Sequence, residues 1–493
     1  MASSSSSSSS LLSHLSFLSW LLLLLPHSSL SQPFHTITPG TSLSTLHENS
    51  SCLSPSDEFA FGLYGLPNKN LFLLAIWFNK IPERTVVWSA NGGNPVERGS
   101  KLELTTDGQL VLYDNQGKQS WKPEINGSAV TAAMLDTGEF VLQDLNSSRI
   151  WGTFDQPTDT ILPTQKLHRN SILSSRRTKD DYSNGKLQLH LREDGNLVLY
   201  TANVLTRSTY DSPSQSLGNG SELAFDEKGN IGLLQMNGTI SNLTQGDSFP
   251  TREFYHRATI DVDGVFRQYY YRKAGQSTWS ITGAVPSDIC MAIISYPGSG
   301  VCGFNSYCKL DEKQSPICEC PTGFSYLNPN NTLEGCKPNF TAQSCGSNEF
   351  RNEKELFKMA PIPNTTWVVS DFEQYGPVDE AFCENSCLDD CLCAVAIFDN
   401  GTCLKKRLPL SNGRAGPSIN AKTLVKVRKS NSTLSPPDLC KGKKGQATLV
   451  LVGSILLGGS GFLNILLVAA ISLAFYYYYH KMLLNVAQLM ELP

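Results

Sequence analysis

Charge and cysteine are scarce over most of this 493-residue chain, and each shortage excludes something. Charged residues make up 17%, and 40 Lys+Arg nearly cancel 44 Asp+Glu, so a net charge of −4 gives no electrostatic footing for nucleic acid. Residues 1–289 hold one cysteine, Cys52, and must rely on a hydrophobic core rather than on disulfides. Helical periodicity is almost missing from 32–289. With 38 Gly and 26 Pro, both costly inside helices, the chain reads as turn-rich and mainly β. Catalytic patterns are lacking too: His14, His27 and His480 fall in the terminal segments, and no Gly-x-Ser-x-Gly or carboxylate pairing selects a triad from the other five His. Gly298-Ser-Gly-Val-Cys-Gly303 spells a phosphate-loop pattern, but no strand, helix or lysine accompanies it, and Asp371-Phe-Glu is not Asp-Phe-Gly. No catalytic residue, cofactor or metal is expected.

What is present begins at the ends. The apolar run 11–25 with Ser29 and Ser31 after it predicts a signal peptide over 1–31, although the basic flank of such segments is missing. Residues 447–475 contain no charge and exceed the ~20 residues that cross a bilayer as a helix. Four tyrosines, Tyr476 to Tyr479, follow as an aromatic belt, then His480 and Lys481. Lys441, Lys443 and Lys444 put more positive charge on the outer flank than the inner one, but a cleaved signal fixes orientation first. The expectation is a single-pass type I plasma-membrane protein with a linker at 429–446 and a tail at 476–493. N-x-S/T acceptors at Asn49, Asn126, Asn146, Asn219, Asn237, Asn242, Asn330, Asn339, Asn364, Asn400 and Asn431 all lie between the two apolar segments.

Thirteen cysteines crowd into 290–440, the pattern of small units stapled in an oxidising compartment. Disulfides are favoured over zinc there, because thiolates would be oxidised. Short apolar runs such as 71–77, 85–88, 102–113 and 140–143 are separated by Asn-Gly, Asp-Gly and Gly-Gly turns. An internal repeat stands out: Leu104-Thr-Thr-Asp-Gly-Gln-Leu-Val-Leu-Tyr113 and Leu191-Arg-Glu-Asp-Gly-Asn-Leu-Val-Leu-Tyr200 agree at seven of ten positions, which predicts two homologous β-domains in tandem.

The repeat resembles the Gln-x-Asp-x-Asn-x-Val-x-Tyr strand of the bulb-type mannose-binding lectins, whose five side chains would share one face of a strand. The first copy reads Thr105, Asp107, Gln109, Val111 and Tyr113; the second reads Arg192, Asp194, Asn196, Val198 and Tyr200. Neither is intact, so the alternative is that Asp-Gly only turns the hairpin while Val and Tyr pack. A third stretch, Leu135-Asp-Thr-Gly-Glu-Phe-Val-Leu142, is shifted by one residue and does not fit. Phe59-Ala-Phe-Gly62, Val86-Val-Trp-Ser-Ala-Asn-Gly-Gly-Asn-Pro-Val96 and Trp151-Gly-Thr-Phe-Asp-Gln-Pro-Thr-Asp-Thr-Ile-Leu-Pro163 resemble the plant G-type lectin S-receptor-like Ser/Thr kinases, and 259–270 resembles their S-locus glycoprotein region.

The resemblance implies tandem lectin β-prisms at 32–155 and 156–285, an EGF-like module at 286–337 and a PAN/apple module at 345–428, beside the single transmembrane helix. The six Cys from 290 to 336 alone permit 15 connectivities. Likeness to the EGF-like frame, with Cys318-Glu-Cys320-Pro-Thr-Gly-Phe324 as its core, implies Cys290–Cys308, Cys302–Cys318 and Cys320–Cys336. Likeness to PAN implies Cys383–Cys403 and Cys387–Cys393, with Cys345–Cys391 as a third pair. Cys52 and Cys440 remain, open to pairing with each other, bridging two chains or staying free.

Family members carry a cytoplasmic kinase of ~300 residues, which eighteen residues after the span cannot hold. The expected function is a kinase-less lectin-type receptor or co-receptor for glycan or protein ligands; the alternative is a truncated gene model of a full-length receptor kinase. Expected partners are mannose-type or acidic glycans, the membrane, and full-length receptor-like kinases through the PAN module or the span, where Ser454 and Gly458 form a small-xxx-small pair. If the topology is right, endoglycosidase should lower the apparent mass of the expressed chain substantially. Unchanged mobility, or protease protection placing the lectin half in the cytosol, would sink it.

Overall fold

Strand after strand buries alternate residues, as in Lys101–Leu104 and Thr131–Met134, where Leu102, Leu104, Ala132 and Met134 face inward. The computed structural model describes residues 35–47, 50–67, 70–201, 220–244, 249–275, 277–292, 299–312, 314–343, 345 and 354–429, with isolated positions at 467, 471–473 and 476. The expected signal peptide, Asn49, Asn219, Asn431, Cys440, and the span and tail apart from those isolated positions lie outside the described residues. Among the described residues no helix is long and apolar enough to cross a membrane.

Three antiparallel sheets enclose the first core. One runs Thr36–Ile37, Thr131–Met134, Phe140–Gln143, Arg149–Gly152; the second Gln119–Trp121, Leu110–Tyr113, Lys101–Leu104, Ser42–Ser44. The third runs Ser51–Leu53, Phe59–Gly65, Leu71–Phe78, Val86–Ser89, with Val96–Glu97 beside Leu71–Phe78. Each sheet gives one indole to a central triangle: Trp88, Trp121 and Trp151 meet edge to face with centroids 6.2, 6.3 and 6.2 Å apart. Such pairs contribute about 0.5–1.5 kcal/mol each beyond burial, and here they tie all three sheets together. Phe61 stacks on Phe140 at 3.6 Å beneath them. Cys52 is fully buried in this core as a free thiol, its pKa pushed up to about 11 by desolvation. That burial takes it out of any bridge between chains.

A second three-sheet unit follows from Thr160. Its sheets are Thr160–Ile161, Phe254–Ile260, Phe266–Arg272, Ser280–Val285; Lys166–His168, Gly220–Phe225, Ile231–Gln235, Ile240–Thr244; and Ile172–Thr178, Asp181–Leu191, Leu197–Thr201. The core is aliphatic, built on Leu173, Leu187, Leu223, Ile231 and Ile260 with Phe225 and Phe266, and has no tryptophan triangle. Aromatic contacts join the two units: Phe78 lies 5.1 Å from Tyr255 and 5.3 Å from Trp279, whose indole donates to Thr85 Oγ1 at 2.9 Å. Arg176 adds a charged clamp, pairing with buried Asp159 at 2.5 Å and donating to the Val86 carbonyl at 2.9 Å.

The cysteine-rich part shares one sheet. Tyr307–Leu310 pairs with Pro316–Glu319 and runs parallel to Thr402–Ala415, which continues through Val395–Asp399 and Lys422–Arg428 to Phe357–Pro363. The boundary read between 337 and 345 is therefore crossed by strand pairing, and by Trp367, whose indole donates to the Ser306 carbonyl at 3.0 Å. Six disulfides staple it: Cys290–Cys308, Cys302–Cys318, Cys320–Cys336, Cys345–Cys391, Cys383–Cys403 and Cys387–Cys393. Asp379 caps the helix Glu380–Leu388 by accepting from the Phe382 amide at 2.7 Å, and Lys426 donates to the carbonyls of Cys387 and Asp390, both at 2.9 Å, at its other end.

Lys186 links the second unit to this part, donating to the carbonyls of Val301 at 2.9 Å and Leu333 at 3.4 Å. Desolvation pulls its pKa down to about 8. The unfolded chain, near 10.4, therefore binds more protons between pH 8 and 10, and stability rises with pH across that window. Urea unfolding should show a gain of about 2 kcal/mol from pH 8 to 9.5 that Lys186→Met lacks. Identical pH slopes would show that the ammonium is solvated.

Candidate functional site

The first motif copy is a hairpin tip before it is anything else. Lys101–Leu104 ends before Thr105, and the next strand starts at Leu110, so Thr105 and Asp107 sit in the connection rather than on the strand. The expectation of five side chains along one strand is corrected to two at the turn, Gln109 at its exit, and Val111 and Tyr113 on the strand. The turn is closed by Thr105 N to Gln109 O at 2.8 Å and Gly108 N to Thr105 O at 2.9 Å, with Gly108 at φ +80. Thr105 Oγ1 accepts from the Gln109 amide at 3.0 Å, filling the capping role that Asp would otherwise take, and Asp107 is left exposed. Val111 is buried. Tyr113 is half-buried, opposite Lys101, whose ammonium sits 5.4 Å from the ring centre.

The second copy uses the same turn, with Arg192 N to Asn196 O and Gly195 N to Arg192 O both at 2.9 Å. Asp194 accepts from the Asn196 amide at 3.0 Å, which holds its carboxyl below the usual carboxylate range, with Arg192 adding to the effect. Arg192 reaches Asp194 at 3.1 Å, both side chains well exposed. Val198 and Tyr200 are 2% and 8% exposed, so the strand half of this copy is buried while its turn is open. Pairing sets Gln188 opposite Tyr200 and His190 opposite Val198, with the His190 ring 6.1 Å from Tyr200. Gln188 and His190, like Lys101 and Glu103 beside the first copy, were missed because cross-strand register is not written in a single repeat.

The third stretch is in register after all. Leu135 N bonds Glu139 O at 2.8 Å and Gly138 N bonds Leu135 O at 3.0 Å, so Gly138, not the aspartate, marks the frame. Only Asp136 is displaced, and its carboxylate accepts from Ser56 N at 2.8 Å. Glu139 is taken by Arg149 at 2.6 Å, which also holds Asp155 at 2.7 Å. Further hairpins repeat the turn, among them Asp226–Gly229–Asn230 and Asp261–Gly264–Val265. In the latter, Arg267 occupies the position of the motif Val and is held by Asp261 at 2.7 Å and Asp263 at 2.8 Å. A left-handed glycine followed by an alternating apolar strand was the signal that would have found these five.

A model described as D-mannose binding lectin matches residues 85–180, and one described as S-locus glycoprotein domain matches 233–328. The G-type lectin S-receptor-like serine/threonine-protein kinase LECRK2 of Oryza sativa subsp. indica is 40% identical over 472 residues, covering 91% of this chain and 58% of the rice protein. By these matches the chain is similar to the plant G-type lectin S-receptor-like kinases over 91% of its length. The related kinase RLK1 of Arabidopsis thaliana is 34% identical over 439 residues, with coverage of 84% and 52%. A monomeric monocot mannose-binding lectin from Gastrodia elata is 20% identical over 24% of this chain and 94% of its own, with a TM-score of 0.19. The chain spans little more than half the length of the curated relatives, so these 493 residues carry their lectin-type extracellular part and not their kinase region.

A Cβ on Gly108 would lie 2.6 Å from the Ala129 carbonyl oxygen, in a backbone conformation that already disfavours L-residues. Gly108→Ala should cost about 2 kcal/mol by denaturant unfolding, whereas Asp107→Ala should stay within ~0.5 kcal/mol. Equal costs would mean that Asp107 is structural.

Proposed function

We propose that this chain is the ligand-reading ectodomain of a cell-surface receptor or co-receptor, built of tandem bulb-type lectin prisms, an EGF-like module and a PAN/apple module, and anchored by the 447–475 span. On this reading the ectodomain signals through a partner, a full-length relative contacted by the PAN module or the span. The observation that carries the glycan part is the open turn of the second copy, where an ionised Asp194 and the Asn196 side chain stand beside Arg192. Arginine only donates, so it cannot supply the carbonyl acceptor of the family Gln, but it favours an acidic sugar. The Arg192–Asp194 pair does not forbid this, since an exposed pair contributes only about 0–1 kcal/mol and opens at little cost. Truncation of a full-length kinase is favoured as a second reading by one fact, the 58% coverage of the rice relative. An open reading frame with kinase motifs beyond the codon for Pro493 would decide for it.

A glycan array with the purified ectodomain tests the site. Neutral mannose should bind weakly or not at all, and Arg192→Gln should lose any acidic-glycan signal. Strong mannose binding that survives Asp194→Ala would show that the site lies elsewhere.

A further inference from the structure

The sheet of Lys166–His168, Gly220–Phe225, Ile231–Gln235 and Ile240–Thr244 buries Leu167, Leu223, Phe225, Ile231 and Leu233 on one side. Its other side has small residues at the centre: Ala224 stands opposite Gly232, and Gly232 opposite Asn242. These form the floor of an open trough of about 280 Å³. Leu234 and Ile240, paired with each other, make an apolar wall, and Ile240 is 65% exposed. Glu222, cross-strand partner of Leu234, and Lys166, beside Ala224 and 2.9 Å from Glu222, close the trough with charge at its other end. A methyl group on Gly232 would fall 2.5 Å from Ile240 Cγ2 and 3.2 Å from Asn242 Oδ1, so the floor is kept low just where Asn242 stands.

Asn242-Leu-Thr244 is an N-glycosylation acceptor, and the Asn242 side chain is exposed on this trough. The hydroxyl of Thr244 is buried and donates to Gln268. Sugar transfer needs that hydroxyl and the local chain free, so it precedes the docking of this strand, and the glycan is in place when the sheet closes.

We infer that the glycan on Asn242 lies down in the trough of its own sheet. Its first sugar covers Gly232 and sets an apolar ring face against Leu234 and Ile240, and the second reaches Ala224, two strand spacings or about 10 Å away. Its hydroxyls meet the polar rim of Asp226, Asn230 and the Lys166–Glu222 pair. The occupant is this chain's own modification, because the acceptor is part of the trough's lining. Asn237 provides the contrast. It sits at the tip of the same hairpin, its side chain engaged locally with Thr239, outside the trough lining. The inference rests on the chain passing through the secretory pathway, but fails separately from it.

The test is site-resolved mass spectrometry on the glycosylated ectodomain during endoglycosidase digestion, native and denatured. Release at Asn242 should be at least tenfold slower than at Asn237 in the native protein and equal to it after denaturation. Ile240→Ser, an exposed change that keeps the acceptor, should bring native release at Asn242 toward the Asn237 rate; Ala224→Gln, which fills the floor from the next strand, should do the same if the first variant folds poorly. Native release at the Asn237 rate in the unmutated protein overturns the inference. An unoccupied Asn242 overturns it too, while glycans found at Asn126, Asn146 and Asn237 would leave the secretory reading standing.

Discussion

A glycine held at positive φ at a hairpin tip governs this architecture. Gly108, Gly138, Gly195, Gly229 and Gly264 all sit between φ +80 and +91, each closing the same two-bond turn. That turn fixes which residue faces which across the hairpin, and a one-residue slip would send Leu102, Leu104, Leu110 and Leu112 to the solvent side. The hydrophobic cores of both three-sheet units therefore depend on backbone conformations that only glycine adopts cheaply. The polar residues of the lectin motif contribute to the turn unequally. Thr105 shows this directly, because its hydroxyl closes the turn while Asp107 stands exposed.

This separation explains what could be read from the sequence. Alternating apolar residues and Asp-Gly turns disclosed strands, and the repeated ten-residue stretch disclosed a tandem of like domains. The third hairpin was misread because the aspartate was followed instead of the glycine, and Asp136 had moved one place while Gly138 had not. The triangle of Trp88, Trp121 and Trp151 was not legible: each indole belongs to a different sheet, and no local pattern says that three distant residues share an axis. The fate of Cys52 was equally hidden, since burial is decided by strands that pair with it from elsewhere in the chain. The neighbours of the candidate sites, Gln188 and His190, needed strand register, which a single sequence does not specify.

Buried charge marks one hairpin of the second unit as structural. Arg267 replaces the motif Val in the fifth hairpin and is almost wholly buried, a placement that would be ruinous without partners. Asp261 and Asp263 supply them, and Tyr269, at the place of the motif Tyr, donates to Asp261 at 2.5 Å. The arginine, both aspartates and the tyrosine of that face are thereby engaged with one another. Arg176 and Asp159 do comparable work between the units, where the arginine also holds a carbonyl of the first.

The same accounting sorts the five hairpin faces. Two are closed by ion networks, those of Glu139 with Arg149 and of Asp261 with Arg267. The Asp226 face carries a glycan acceptor in its own trough. The first copy keeps an open turn but has Thr105 tied into it, so one of its three polar positions is committed to the fold. At the second copy an ionised carboxylate, an amide side chain and a cation stand together on an open turn whose closure rests on main-chain bonds and the Asp194 contact. On the proposed reading, an anionic ligand group exchanges with Asp194 for Arg192, since an exposed pair contributes at most about 1 kcal/mol, whereas a neutral hexose meets no acceptor at that position. Selection at this turn would then be set by Arg192 on a backbone that the rest of the fold holds fixed.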